Sequence, residues 1–258
     1  MSDAPLPGGA AQAAPAGTLL GGRVHYAQPA AGHRSGLEPV LLAAATPARP
    51  GARVLEAGSG AGAALLCLAA RVPDLAGLGL ERDAALVKLA HANAAANGFA
   101  ALRFVAGDIE SFRAESPFDH AIANPPWHDA RGTSGTDAAR EVARRGRPGL
   151  LAAWTRAMAA ALRPRGMLSL IVAAAVVPEA MSALAASGVG SLRLVPFWPR
   201  AGVAAKLAIL QGIRGGKAPM VLAPGLVLHD ADGGFTPAAE AVLREGRAIV
   251  QAGGAAGS

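Results

Sequence analysis

One tetrapeptide of this chain could hold a planar amine for reaction: Asn124, Pro125, Pro126 and Trp127. The lone pair of such an amine is delocalised, so the amine needs acceptors for its two N–H groups and a flat surface for its ring. An Asn side-chain oxygen and the next carbonyl are such acceptors, prolines stiffen the backbone that positions them, and an indole can stack on a ring. The tetrapeptide predicts transfer to an exocyclic amine; the ordinary alternative is a proline-rich turn.

A glycine-rich segment upstream could bind a cofactor. Gly58, Gly60 and Gly62 stand at every second position where a predicted strand turns into a helix, two residues after the acidic Glu56. Glycines there let the backbone approach a ligand closely, and the helix N-terminus offers unpaired N–H groups. A dinucleotide-binding fingerprint would need a third glycine where this chain has Ala63.

Acidic residues end two further predicted strands. Glu81 ends the second strand, where a carboxylate can accept both hydroxyls of a ribose. Asp108 follows the third, where it can accept from an adenine amine while Ile109 packs on the ring; for each acid a helix cap or a turn is the alternative. Because ligands bind at the carboxyl edge of open α/β sheets, we expect one site to collect Glu56, Glu81, Asp108 and Asn124.

Strands and helices alternate from residue 52 onward, which predicts an α/β fold with a doubly wound, mostly parallel, seven-stranded sheet. We predict strands at 53–57, 75–81, 102–106, 118–123, 167–172, 192–195 and 206–211, a further segment at 221–228, and helices at 61–71, 83–97, 150–162, 178–186 and 237–247. Residues 128–148 lack apolar periodicity and predict a long active-site loop.

The sequence outside the main domain predicts an N-terminal extension and two disordered tails. Residues 18–50 form an N-terminal extension, with a strand pair inside 19–28 and a helix that starts at a capping box of Ser35 and Glu38. This extension precedes a domain over 51–250, and residues 1–17 and 251–258, rich in Gly and Ala, predict disordered tails.

Composition limits the partners. A net charge of +6 over 258 residues favours a nucleic acid as the binding partner.

The single cysteine, Cys67, lies in an apolar helical stretch where it should pack as a small hydrophobe. The histidines lack metal-ligand spacing, so no metal is predicted. With no signal peptide and no apolar run long enough for a bilayer, we expect a cytoplasmic protein, either a monomer or a homodimer.

Together these motifs resemble those of the class I S-adenosylmethionine-dependent methyltransferases of the small, amino-group type, whose first motif has the glycine spacing described above. They are especially similar to the family that methylates adenine N6 in the anticodon loop of a valine tRNA. The resemblance covers about residues 19–250, including an upstream stretch at 26–42 and a closing turn at 233–237. That family more often has Tyr or Phe where this chain has Trp127.

The resemblance implies which residues bind what. S-adenosylmethionine would be bound by Arg34, Glu38, Glu56, Ala57, Gly58, Ser59, Gly60, Gly62, Glu81, Arg82, Asp108, Ile109 and Asn124. The amine would be held by residues 124–127 and attack the sulfonium methyl directly, so the protein supplies positioning and dipoles. RNA, most simply a tRNA, would contact Trp127, His128, Arg131, Arg140, Arg144, Arg145 and Arg147; a solvated arginine-rich face is the alternative for the arginines.

Three other functions remain open from the sequence. Related families use similar tetrapeptides on a protein glutamine amide or on the N2 amine of an rRNA guanine. A nicotinamide-dependent oxidoreductase is disfavoured by the glycine spacing. A non-catalytic RNA-binding protein could keep the same fold, but the intact tetrapeptide argues against it.

Overall fold

Parallel strands alternate with helices in the computed structural model, which describes residues 17–29, 36–126 and 149–249. The strands in these ranges are β1 (Gly17–Leu19), β2 (Val24–Tyr26), β3 (Arg53–Ala57), β4 (Ala76–Glu81), β5 (Leu102–Ala106), β6 (Phe118–Ala123), β7 (Leu162–Ala173), β8 (Val189–Trp198), β9 (Leu207–Arg214), β10 (Val221–Leu222) and β11 (Leu226–Val227). The helices are α1 (Glu38–Ala45), α2 (Ala63–Arg71), α3 (Ala84–Ala96), α4 (Leu150–Ala161), α5 (Val177–Ala186) and α6 (Pro237–Leu243).

The main sheet has the order β10-β8-β9-β7-β6-β3-β4-β5, and β11 also pairs with β8. Strand β9 is antiparallel to both of its neighbours, and the other pairs are parallel. Seven longer strands therefore form the mostly parallel sheet that the sequence predicts. The two-residue strands β10 and β11 extend it to nine at the β8 edge.

Alternate residues of the strands contribute their side chains to two hydrophobic cores on opposite faces of the sheet. Val54 and Ile122 belong to the first core, which α1, α2, α3 and α6 cover. Leu55 and Ala121 belong to the second, which α4 and α5 cover. Because both faces are buried, the central strands are almost continuously apolar. Cys67 packs in the first core, 2% exposed, which confirms its predicted role.

The two ends of the described chain pack on the same side of the sheet. The N-terminal strands β1 and β2 form an antiparallel pair, as predicted. Ile249 donates its N–H to Ala44 O of α1 at 2.9 Å, and the Arg23 guanidinium donates to Glu245 O. The extension and the last helix are thus joined to each other and to α1.

Several predicted boundaries are wrong. Helix α1 begins at Glu38 after Leu37, whose side chain makes no cap, so Glu38 is not the third residue of a capping box; Ser35 lies outside the described residues. Strand β7 starts five residues before the predicted strand. The segment at 221–228 contains two short strands, separated at Gly225, which has a φ of +81°. Helix α6 ends at Leu243 and not at 247.

Among the described helices, none has the length and apolar character that crossing a membrane requires.

Candidate active site

The strand order reverses between β3 and β6, and the crevice at such a point is where open α/β sheets bind ligands. Strand β3 has β4 on one side and β6 on the other, and Ala57 is paired with Ala123. The next residues, Gly58 and Asn124, therefore leave adjacent strands at the same level, roughly 5 Å apart along the hydrogen-bonding direction. The register places the predicted amine-binding residue beside the predicted cofactor turn.

Backbone hydrogen bonds hold the glycine turn against β4. The N–H groups of Gly58 and Ser59 donate to Leu80 O at 2.8 and 3.0 Å, and Gly62 N–H donates to Ser59 O at 2.8 Å. Gly58, Gly60 and Gly62 have φ values of +68°, +53° and +90°, in the left-handed region that favours glycine. A Cβ at Gly60 would meet nothing within 4 Å, so the backbone there is open to a ligand.

Glu81 stabilises this turn with both oxygens of its carboxylate. Oε2 accepts the N–H of Gly60 at 2.9 Å, and Oε1 accepts the N–H of Asp83 at 3.0 Å. An ionised carboxylate has about four lone-pair sites, so each oxygen can accept a further hydrogen bond. Glu81 therefore anchors the turn and keeps acceptors for a ligand hydroxyl.

Asp108 lies one strand further out, after β5. Its Oδ1 accepts the N–H of Glu110 at 3.0 Å, and its Oδ2 is 3.7 Å from Arg82 Nε. Both side chains of this ion pair are substantially exposed, so the pair adds little stability. Ile109, 3% exposed, packs in the second core.

Glu56 is a carboxyl group buried under the turn. It is 4% exposed, and its Oε2 accepts the N–H of Leu65 at 3.3 Å. Burial raises the pKa of Glu56 from 4.5 to about 8, the hydrogen bond from Leu65 opposes this shift, and the charge of Glu81 adds to it. At neutral pH the side chain is therefore mostly protonated in the protein without ligand.

Ser59 and Gly79 form a tight contact that sequence patterns did not single out. Ser59 Oγ is buried and has no hydrogen-bond partner among the described residues. A Cβ on Gly79 would lie 2.7 Å from this oxygen and 2.4 Å from the Phe104 ring. Gly79 is thus needed for the approach of β4 to the turn, and its spacing within an apolar strand was the only available signal.

Two further residues that the sequence analysis missed are Asn93 of α3 and Asn97, which caps the C-terminus of that helix. Asn93 accepts the N–H of Ala27 at 2.9 Å and donates to Ala27 O at 2.9 Å and to Ala61 O at 3.0 Å. Asn97 accepts the N–H of His25 at 2.8 Å and donates to His25 O at 2.7 Å. Each side-chain amide thus accepts from and donates to the backbone of one residue in or just after β2, as the backbone of a neighbouring strand would do. Asn93 also connects this segment to the glycine turn through Ala61.

The structure brings together nine of the predicted site residues. The backbone and side-chain contacts above cluster Glu56, Gly58, Ser59, Gly60, Gly62 and Glu81, and the sheet register adds Ala57, Asn124 and Pro125. Pro125 is buried and Pro126 is exposed. Glu38 is the first residue of α1, where its carboxylate lies beside Gly36. Asp108 and Ile109 lie one strand further out, where Asp108 forms an ion pair with Arg82 and Ile109 is buried in the second core. The remaining predicted site residues lie outside the described ranges: Arg34, Trp127, His128, Arg131, Arg140, Arg144, Arg145 and Arg147.

Two tryptophans belong elsewhere. Trp154 is 8% exposed in the second core, and its ring would be 2.8 Å from a Cβ on Gly58. Trp154 therefore packs against the glycine turn from the second core, as expected of a core residue. Trp198 lies at the end of β8, near the far edge of the sheet. No cluster of potential metal ligands occurs in the part of the chain that the structure describes.

Known proteins are similar to this chain in sequence. The chain is 32% identical over 208 residues to tRNA1(Val) (adenine(37)-N6)-methyltransferase of Aeromonas hydrophila, in a match that covers 78% of this chain and 84% of the relative. It is 37% identical over 93 residues to the ribosomal protein L11 methyltransferase of Thermus thermophilus, in a match that covers 36% of this chain and 35% of the relative.

A crystal structure of a predicted O-methyltransferase from Agrobacterium tumefaciens has the same fold, with a TM-score of 0.68 and 26% identity over 83% of this chain and 98% of that one. The family model of the methyltransferase small domain matches residues 39–176, from the start of α1 to the end of β7 and the turn after it. The glycine turn, Glu81, Asp108 and Asn124 all fall within that match. The chain therefore belongs to the methyltransferase small-domain family and is an S-adenosylmethionine-dependent methyltransferase.

Proposed function

We propose that this enzyme methylates an exocyclic amine, and that the amine is N6 of an adenine in tRNA. The observation that supports an amine as the methyl acceptor is the position of Asn124. This residue follows β6 beside the glycine turn, at the point where the strand order reverses. The name of the Aeromonas hydrophila relative supports adenine N6 and tRNA.

The residues around the turn fit the cofactor. S-adenosylmethionine supplies a methyl group activated by a sulfonium. The open backbone at Gly60 would lie against it, and the free lone pairs of Glu81 would accept its ribose hydroxyls. Asp108, at the end of the next strand, would accept from its adenine amine. The unpaired Ser59 Oγ provides a further buried polar group in the same cradle.

Asn124 and Pro125 would hold the acceptor. The Asn124 amide oxygen and the Pro125 carbonyl each accept one N–H of the amine, which keeps its lone pair directed at the donor. Burial of Pro125 limits the movement of this backbone. Trp127 supplies the stacking face in this proposal. No general base is required, because the proton of the methylated amine can leave to solvent.

An adenine must be unstacked before it can enter such a site, and a loop base costs the least to extrude. The net charge of +6 favours binding of the phosphate backbone. Both features suit the loop of a folded RNA.

Nucleoside mass spectrometry of a deletion strain tests this proposal. We expect N6-methyladenosine to be lost from the tRNA fraction, to return with the wild-type gene, and to stay absent with the Asn124→Ala gene. If a methylated guanosine is lost from rRNA, or a methylated glutamine from a protein, while tRNA is unchanged, then the acceptor is that guanine or that glutamine and not adenine. If the strain and its parent have identical tRNA, rRNA and protein methylation, the proposal of an amine acceptor is wrong.

Calorimetry provides a second test. S-adenosylmethionine should bind the purified protein, and NAD should not bind. Tight binding of NAD alone would contradict the assignment of the turn.

A further inference from the structure

A cleft opens at the carboxyl edge of the sheet, on the side away from the glycine turn. It has a volume of about 640 Å³ and is lined by Trp198, Ala201, Gly202, Val203, Ala204 and Val227. We call it the Trp198 cleft. None of these residues belongs to the proposed methyl-transfer site.

The sheet topology places the Trp198 cleft and Asn124 at the same edge. Strand β8 is antiparallel to β9, β9 is antiparallel to β7, and β7 is parallel to β6. The carboxyl ends of β8 and β6 therefore point the same way, three strand spacings apart, or roughly 14 Å. A single RNA loop can reach across such a distance.

The walls of the cleft suit a flat aromatic ligand. The Trp198 ring is fixed in orientation, because its Nε1 donates to Pro224 O at 3.1 Å. Gly225 allows this arrangement: its φ is +81°, and a Cβ there would be 2.9 Å from Nε1. The rest of the lining is aliphatic or glycine and includes Val203, whose side chain is 44% exposed. A half-buried indole in a cleft with small apolar side chains can accept a stacked base.

Cations stand at both ends of the loop that forms the cleft. Arg200 and Lys206 are exposed, and neither makes a salt bridge with another residue that the structure describes. Asp230 and Asp232 lie in the turn next to Arg200, whose Nη2 is 3.9 Å from a Cβ position at Gly233; no ion pair within 4.0 Å joins them. Two such cations beside an aromatic cleft match a base with its phosphates.

We propose that the Trp198 cleft binds an unstacked base of the RNA substrate, a few nucleotides from the base that is methylated. This inference rests on the proposed function, because it requires an RNA acceptor. Recognition at two places along one loop gives the enzyme a means to select its substrate, since both bases must be extruded at the right separation.

Binding of a fluorescently labelled tRNA transcript tests the proposal. Trp198→Ala should weaken tRNA binding about tenfold, because a base stacked on an aromatic side chain contributes about that factor, and Trp198→Phe should retain most of the affinity. Val203→Asp should also weaken binding by about tenfold. Its matched control is Val221→Asp, at a valine of nearly equal exposure, 45%, on the edge strand β10; this control should change affinity less than twofold.

A spectroscopic measurement separates stacking from a structural effect. Oligoadenylate should quench tryptophan fluorescence of the wild type, and Trp198→Phe should lose part of that quenching while binding persists. All variants should keep the wild-type affinity for S-adenosylmethionine.

The outcomes distinguish the two proposals. If the wild type binds no tRNA and methylates none, the RNA substrate is wrong and the cleft assignment is overturned with it. If the wild type binds and methylates tRNA, but Val203→Asp matches Val221→Asp and Trp198→Phe quenches normally, only the cleft assignment is overturned.

Discussion

At the scale of single residues, Asn124 should act on the reaction and not on the cofactor. Its amide is at the exit of β6, whereas the cofactor contacts proposed above are mainly on β3, β4 and β5. We expect Asn124→Ala to reduce kcat by about a hundredfold or more, as removal of one positioned hydrogen-bonding group does in other enzymes. S-adenosylmethionine affinity, measured by calorimetry, should remain within a few-fold. A parallel decrease of affinity and turnover would make Asn124 a structural residue.

Glu56 gives a prediction for the pH dependence of stability. Its pKa is about 8 in the folded protein and near 4.5 when exposed, so the folded state retains a proton between these values. The contribution of Glu56 to the free energy of unfolding is therefore fully present below about pH 4.5. It is lost as the pH rises through this window, so that above the window the free energy of unfolding is lower by on the order of 5 kcal/mol.

Glu56→Gln keeps an acceptor for the Leu65 N–H and cannot ionise. The free energy of unfolding in urea should match the wild type at pH 5 and exceed it by several kcal/mol at pH 9. Glu115→Gln, at an exposed position, provides the matched control for the removal of one carboxyl group. If Glu56→Gln and the wild type lose stability in parallel, Glu56 is ionised in the folded protein at neutral pH.

At the scale of elements, the turn between β3 and α2 contains glycines with different constraints. A Cβ at Gly62 would be 2.8 Å from the Phe104 ring, whereas a Cβ at Gly60 would meet nothing. Gly60→Ala should cost only the left-handed strain of about 1–2 kcal/mol, and Gly62→Ala should cost about 1–3 kcal/mol more. Thermal unfolding will compare them.

The same pair tests the open space above the turn. If the cofactor lies against Gly60, then Gly60→Ala will fold and yet bind S-adenosylmethionine much more weakly. Unchanged affinity in a folded Gly60→Ala protein would place the cofactor elsewhere.

Local signals explain which elements could be predicted from the sequence. Strands β3 to β6 were predicted nearly to the residue, because strands buried on both faces are short apolar runs bounded by turn residues. Helix α3 was similarly clear, with Asp83 accepting the N–H of Ala85 at its start and Gly98 at its end.

Contacts between distant parts of the chain could not be predicted in this way. Asn93 resembles any polar residue inside a helix, and its partner Ala27 is 66 residues away. Gly79 is explained by Ser59 in the glycine turn and by Phe104 on the neighbouring strand. The position of Asn124 beside Gly58 required the strand order, which the alternation of elements suggests and the register establishes.

At the scale of the whole molecule, a charged cluster ties strands together at the amino edge of the sheet, and the proposed site lies at the opposite edge. At the amino edge, Asp119 accepts the Arg53 N–H at 2.8 Å and pairs with Arg163 at 2.5 Å. Burial alone would raise the pKa of Asp119, but these partners bring it below its ordinary value. The carboxyl edge instead holds the glycine turn, Asn124 and the Trp198 cleft.

We expect RNA binding to depend on which positively charged residues are removed, and not only on how many. We expect the double substitution of Arg144 and Arg145 by Gln to weaken tRNA binding and to reduce the slope of log affinity against log salt by about 1.4, since each phosphate that is no longer neutralised lowers the slope by about 0.7. The matched control replaces two exposed residues at the amino edge by Gln: Arg49, which precedes β3, and Arg165, which lies in the first part of β7. Both double variants remove two positive charges, so equal effects on the salt slope would show that net charge alone governs binding.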